Sequence, residues 1–343
     1  MKAVVFLGDR QLELVDYPDP VPGPDEVIVE IKASGMCGSD LHYYRAPLRP
    51  RSELVIAGHE PCGVVAQIGS VVPAAQARVG DRVIVHHYDG CRVCHSCRSG
   101  WTQICSTDQK RTFGGLNADG AHARFMKVPA HTLIRMPDNL SFKAGAAAAC
   151  GTGTAFGAIK RMGLTGDETI AIFGQGPVGL SGTLFAKAMG ARVIAVDVVD
   201  ERLAMAKQFG ADVVINALND DPVSAIRAVT RHGEGADKSM ECSSNPDARR
   251  QSVEALRRWG TACLVGVFGK IEFDVGQAIQ QMKTIMSSVT FSKNLLDDCA
   301  QYIAERGLQV EPLFTNEFRL EQAKEAYDLF DTQKIGKGVF VFD

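Results

Sequence analysis

Three groups of residues in this chain have types and spacing suited to chemistry. Cys91, Cys94, Cys97 and Cys105 follow one another at intervals of three, three and eight residues in a polar, glycine-bearing stretch. Four thiolates so close together suit one tetrahedral Zn²⁺, and a site filled by four protein ligands is closed and structural. An iron–sulfur cluster also takes four cysteines, and unrelated buried thiols are the plainest alternative. His95, inside the cluster, reads as a surface residue. Second, Cys37-Gly38-Ser39-Asp40-Leu41-His42 and Gly58-His59-Glu60 supply a thiolate, an imidazole and carboxylates, and Cys150 follows much later. Cys37, His59 and Cys150 would form a three-ligand set that leaves a fourth zinc position for water or substrate. Adjacent strand residues point to opposite faces, so Glu60 can join His59 only across a turn. The bland alternative makes Cys37 and Cys150 small core residues and His59 a satisfied buried histidine.

The third group is Gly174-Gln175-Gly176-Pro177-Val178-Gly179, directly after the apolar run 169–173 and opening a helical pattern at 180–189. In that setting Gly174 permits a tight turn, Gly176 lets backbone approach a pyrophosphate, and Gly179 allows close helix–strand packing. The helix N-terminus attracts the phosphate charge. Asp197 ends the next apolar run, 18 residues beyond Gly179, where a carboxylate binds adenosine ribose hydroxyls and repels a 2′-phosphate. That favours NAD over NADP, with Arg202 as a nearby counterweight. A tight βα turn that binds nothing is the alternative.

The elements that must position these groups change character along the chain. The first third alternates short β-rich runs (1–7, 26–32, 62–68, 82–87) with turn signals, among them the proline-rich segment 18–24, and predicts an antiparallel or barrel-like body. No helical period stands out before about residue 141. Beyond it, apolar runs of strand length alternate with helical stretches through 261–267, the rhythm of βαβ units in a doubly wound parallel sheet. Two helical patterns (294–306 and 320–331) and a strand at 338–342 close the sequence, the strand able to return to the N-terminal body.

At 343 residues the chain has room for about two domains. Hydrophobic residues make up 45% and charged residues 22%, and 37 Lys+Arg nearly cancel 40 Asp+Glu. That balance excludes wholesale disorder and offers no electrostatic footprint for nucleic acid or an anionic membrane. Only five apolar residues follow Lys2, too few for a secretory signal, and no apolar run reaches the 18 residues of a membrane helix. The expectation is a cytoplasmic protein whose 10 cysteines stay reduced or hold metal.

Taken together, and with Gly58-His59-Glu60-Pro61-x-Gly63, Gly80-Asp81-Arg82-Val83 and Gly336-Lys337-Gly338 in order, the whole chain resembles the zinc-dependent medium-chain dehydrogenase/reductase family of alcohol and polyol dehydrogenases. The resemblance implies an α/β protein. Its GroES-like β-rich catalytic domain would take residues 1–151 and 291–343, with a structural zinc lobe near 88–106, around an NAD-binding Rossmann domain at 152–290. It implies that Cys37, His59 and Cys150 hold the catalytic zinc with Glu60 beside it, and that Ser39 and His42 form the proton relay. Thr154, Val178 and the strand end Val265-Gly266-Val267 would line the nicotinamide, Arg202 would stand near the adenosine ribose, and the subunits would form a homo-oligomer, tetramer or dimer. His42-Tyr43-Tyr44 resembles sorbitol- and idonate-type enzymes, in which a Glu commonly stands at position 150, whereas Cys150 itself resembles the alcohol dehydrogenases proper.

The expected chemistry is NAD-linked oxidation of a primary or secondary alcohol, polyols included, with two zinc ions per subunit. Hydride leaves most readily from an alkoxide, which a Lewis-acidic metal stabilises, and the proton would leave through Ser39 and His42. The segment 45–51 with His86 and His87 reads as a cationic rim for an acidic substrate. Two rivals remain: a zinc-free NADPH quinone or enoyl reductase on the same fold, and a non-catalytic NAD-binding protein.

Overall fold

Val27, Ile28, Val29 and Ile31 are all buried in the strand Glu26–Gly35, a near-continuous apolar run that suits a strand covered on both faces. In the computed structural model, which describes residues 1–115, 117–332 and 336–343, this strand is central to the larger sheet. The sheet runs Phe314–Phe318, Lys337–Val341, Glu26–Gly35, Glu60–Ile68, Arg82–Val85 and Leu133–Arg135, and Phe125–Pro129 also pairs with Glu26–Gly35. All its pairs are antiparallel except the first, Phe314–Phe318 with Lys337–Val341, which is parallel. Contacts divide the chain into one unit of Met1–Gly153 with Ser292–Asp343 and a second of Thr154–Phe291. The division falls two residues later than the sequence reading at its first boundary and one residue later at its second.

Several local features of the first unit escaped the sequence reading. A short helix, Asp40–Arg45, follows the turn after Glu26–Gly35. Its six residues are too few for a 3.6-residue period to register. After Ser141, whose hydroxyl caps the first turn at Ala144 N, the helix Phe142–Ala147 runs into a wider π-helical turn, Ala148–Thr152, that carries Cys150. Such turns displace one residue from the regular helical face. The expected cationic rim is largely neutralised: Arg45 pairs with Asp331 at 2.5 Å and Arg51 makes two bonds to Glu13. His86 and His87 are buried, at 1% exposure each. They belong to the interior rather than to any rim.

The second unit is a six-stranded sheet in the order Val213–Asn216, Arg192–Asp197, Thr169–Phe173, Ala236–Glu241, Leu256–Leu264, Thr284–Ser287, parallel throughout. Numbered along the chain this is 3-2-1-4-5-6, the Rossmann order, whose reversal beside the first strand creates a crevice for a ligand. Ala171, Phe173, Ile194 and Val196 pack with Ile215 and Ile226 under one face. The fifth strand ends at Leu264, so Val265, Gly266 and Val267 lie in the following loop and not in a strand. No helix among the described residues is long and apolar enough to cross a membrane.

Candidate metal and nucleotide sites

Cys37 sits where the chain leaves the strand Glu26–Gly35, and the helix start Asp40 turns back to accept Cys37 N–H at 2.8 Å. His59 lies just before the strand Glu60–Ile68, after Gly58 at φ +89°. That left-handed glycine turns the chain just ahead of His59, at the point where the strand begins. Cys150 arrives from the π-helical turn. The ligand atoms of Cys37, His59, Glu60 and Cys150 lie within 4.8 Å of one another, with the two sulfurs 3.9 Å apart. Ser39 Oγ is 3.3 Å from Cys37 Sγ and 3.1 Å from His59 Nε2. His42, one turn along the short helix, is exposed.

The electrostatics of this cluster fit a cation. Burial alone would lower the His59 pKa, but Asp40, 2.8 Å from Nδ1, and the Cys37 thiolate overrule it and hold it well above its ordinary value. The hydrogen bond from Cys150, against burial and with help from His59, pulls Cys37 well below the usual thiol range. Burial pushes Glu60 up to about 8 against the pull of Lys337, whose ammonium donates to Glu60 Oε1 at 2.6 Å and to Met36 O at 2.9 Å. Glu60 Oε2 is buried with no hydrogen-bond partner. With both cysteines ionised, as metal ligation requires, two thiolates and the Glu60 carboxylate stand against the single Lys337 ammonium. A divalent ion with affinity for S and N ligands supplies the balance.

The second group, Cys91, Cys94, Cys97 and Cys105, also gathers within 4.8 Å. Cys91 and Cys97 sulfurs are 4.0 Å apart, as are those of Cys94 and Cys105; a tetrahedron with Zn–S bonds of about 2.3 Å has edges of about 3.8 Å. Backbone N–H groups of Cys91, Cys94 and Cys97 point at neighbouring sulfurs. The N–H groups of Ser106 and Cys97 pull Cys94 down to about 5. The base of the lobe is fixed by Asp89, which accepts from Arg111 at 2.7 Å and Gly90 N at 2.9 Å and contacts His131 at 2.8 Å. Burial would raise its carboxyl, but His131 and Arg111 hold it well below the ordinary range. His95 is exposed, and all ten cysteines are free thiols.

In the parallel-sheet unit, the strand Thr169–Phe173 runs into Gly174 and the helix Pro177–Ala188, whose N-cap Gly176 offers no side-chain cap to the first-turn amides. A Cβ on Gly179 would stand 1.8 Å from Gly174 O, so only glycine allows this turn to close. Val178 is half-buried and Thr154 buried. Asp197 Oδ2 accepts from Gln175 N at 2.5 Å, and Oδ1 from Val198 N at 2.7 Å and Val199 N at 3.0 Å. A carboxylate has about four acceptor positions, so three are already used by backbone and one direction remains for a ligand hydroxyl. Arg202 is half-buried, Val265 buried and Val267 69% exposed.

The regions 23–138 and 177–305 match, respectively, the alcohol dehydrogenase GroES-like domain and the zinc-binding dehydrogenase domain. An uncharacterized zinc-type alcohol dehydrogenase-like protein, YphC of Escherichia coli strain K12, is 35% identical over 100% of this chain and 99% of its own. This chain belongs to the zinc-dependent medium-chain dehydrogenase family. Sorbitol dehydrogenase of Bacillus subtilis strain 168 is 32% identical over 96% of this chain and 93% of its own. Among solved structures, alcohol dehydrogenase TADH from Thermus sp. ATN1 superposes with a TM-score of 0.92 at 28% identity, covering 99% of both chains. With this family come oxidoreductase chemistry on alcohols and a nicotinamide cofactor.

As a member of this family, the chain carries three further groups that sequence reasoning did not single out. Asp40 pairs with His59, and Lys337 with Glu60. Glu241, fully buried at the end of its strand, accepts from Ser243 N, Ser243 Oγ and Ser244 N through Oε1 and from Arg249 Nε at 3.2 Å through Oε2. Arg249 also donates to Gly266 O at 2.7 Å, and Glu241 O accepts from Val265 N and Gly266 N. This pair therefore fixes the loop after Leu264. Asp40 had a local signal in its place three residues after Cys37 and Lys337 one in Gly336-Lys337-Gly338, while Glu241 had none.

Proposed function

We propose that the protein is a zinc-dependent, NAD-linked alcohol dehydrogenase that oxidises a primary or secondary alcohol, polyols included, to the aldehyde or ketone. The observation that carries this reading is the convergence of Cys37, His59, Glu60 and Cys150 on one point, with the Ser39 hydroxyl beside two of them. Cys37, His59 and Cys150 would hold the catalytic zinc, with Glu60 behind it. Cys91, Cys94, Cys97 and Cys105 would hold a second, structural one. When bound, zinc supplies the Lewis acidity that acidifies a hydroxyl, and the nicotinamide accepts hydride.

The chain's own residues do the rest. Ser39, both donor and acceptor, takes up the hydroxyl proton at Oγ, and exposed His42 delivers it to solvent. Asp40 keeps the His59 proton on Nδ1 and so leaves the Nε2 lone pair for the metal. Lys337 balances Glu60. Gly174, Gly176, Pro177 and Gly179 shape the pyrophosphate turn, and the remaining acceptor position of Asp197 takes a ribose hydroxyl while its charge opposes a 2′-phosphate. Thr154, Val178, Val265 and Val267 would line the nicotinamide, with Arg202 beside the ribose. A zinc-free reductase has no use for a cluster of two cysteines, a histidine and a buried glutamate converging on one point, which is why that reading is set aside.

The subunits are proposed to associate as a tetramer or dimer. Val275, Ile279 and Met282, exposed by 58%, 67% and 53% beside the outermost strand Thr284–Ser287, support association.

The test is an NAD⁺ reduction screen over primary, secondary and polyhydroxylated alcohols, with zinc measured on the same sample. Cys37→Ser is expected to lose one of two zinc equivalents and all activity while keeping the lobe metal. An active Cys37→Ser protein with both metals would refute the ligand set.

A further inference from the structure

Behind His59 a line of buried polar groups runs through four parts of the first unit. Asp40, at the head of the short helix, accepts the Tyr327 hydroxyl on Oδ2 at 3.0 Å, while its Oδ1 faces His59 Nδ1 at 2.8 Å. Tyr327, on the helix Ala323–Asp331, stands 2.7 Å from His122 Nε2. His122 Nδ1 in turn lies 2.8 Å from Ser34 Oγ, on the central strand. Asp40, Tyr327, His122 and Ser34 are each 0% exposed.

These distances fix every proton. A carboxylate only accepts, so the single Tyr327 proton points at Asp40. The Tyr327 oxygen is then an acceptor toward His122, whose Nε2 must carry hydrogen. Neutral His122 is left with a lone pair on Nδ1, and the Ser34 hydroxyl donates to it. Burial pushes His122 down to about 4, which agrees with a neutral ring. The reverse polarity would set two unprotonated oxygens against each other at Asp40 and Tyr327. His122 also packs directly behind the turn before His59: a Cβ on Gly58 would stand 2.3 Å from His122 Nδ1.

We infer that Tyr327 and His122 are positioning residues for the Cys37–His59–Cys150 metal site, holding the Asp40 carboxylate, and through it the His59 ring, in one orientation with Nε2 toward the metal. The inference rests on the metal reading proposed above. A fully buried chain with one proton arrangement resists rotation of the Asp40 carboxylate that faces the imidazole, and groups that orient a ligating histidine typically govern metal affinity by about 10–100-fold.

The experiment uses the full-length, zinc-loaded chain and the variants Tyr327→Phe, which removes one oxygen and keeps the ring, and His122→Asn. Zinc affinity at the two sites is read by chelator competition, and Co²⁺ replaces zinc for absorption spectra. Tyr327→Phe is expected to weaken the Cys37 site about tenfold and shift its cobalt bands, with His122→Asn acting in the same direction, while the lobe site keeps its affinity. Variants that melt earlier yet bind the second zinc as tightly as wild type, with unchanged cobalt bands, overturn this inference alone. A wild-type chain that binds only the lobe zinc overturns the metal reading and this inference with it.

Discussion

Ser39 is both the N-cap of a six-residue helix and a hydroxyl 3.3 Å from Cys37 Sγ, so one residue joins the proposed metal ligands to a helix that carries exposed His42. If His42 delivers the proton, His42→Ala lowers kcat by about 100-fold, most strongly at acid pH, and added imidazole restores part of it. An unchanged pH–rate profile would remove His42 from the path. His122 gives a stability prediction of definite sign. Burial first, helped by His59 and opposed by Asp40, brings its pKa to about 4, below the 6.5 of an unfolded histidine, so the unfolded chain takes the proton first. Its contribution is complete above about pH 6.5 and is lost progressively toward pH 4, by about 3 kcal/mol in all. Denaturant melts of His122→Asn should lose that part of the pH dependence, and a slope equal to wild type would contradict it.

At the scale of elements, what could be read from sequence follows sequence distance. The four lobe cysteines and the glycine turn declare themselves because each is completed within one loop, where spacing is itself geometry. Cys37, His59 and Cys150 could be grouped by their residue types as a three-ligand set, but against a bland alternative of core thiols and a satisfied histidine, because no single loop completes them. The polar groups packed behind them were out of reach, since Tyr327 is 287 positions from Asp40 and 205 from His122, and Lys337 is 277 from Glu60. Nothing in a periodicity reports a contact of that kind. The π-helical turn that aims Cys150 has no pattern of its own, and the loop after Leu264 reads as strand in the sequence because Val265 and Val267 continue its apolar run. That loop depends on Arg249 and Glu241, 6% and 0% exposed in their side chains. Breaking such a buried pair typically costs about 3–5 kcal/mol. Arg249→Met should therefore lower the melting temperature and raise KM for NAD⁺ more than it lowers kcat, with Glu241→Gln in the same chain recovering part of both. Equal KM values in Arg249→Met and wild type would separate the pair from coenzyme binding.

For the whole molecule, alternation of strand-length and helix-length runs was enough to show a parallel, doubly wound sheet following a β-rich body, because each βαβ unit repeats the same signal. The proposed association would use the exposed apolar side chains beside Thr284–Ser287. Ile279→Glu with Met282→Glu should shift the mass seen by light scattering to a smaller species at equal protein concentration, and an unmoved mass would place the interface elsewhere. The last strand has a bearing on synthesis. It pairs with Ala33, Ser34 and Gly35, so a ribosome delivers the entire nucleotide-binding sheet while those three residues still present a bare edge and Glu60 still lacks its ammonium. The nascent chain thus carries a finished insert within an unfinished host, and during that interval the exposed edge is open to mispairing with other chains. A holding chaperone should raise the soluble yield without altering the mature fold, and slower elongation through the inserted sheet should lower it.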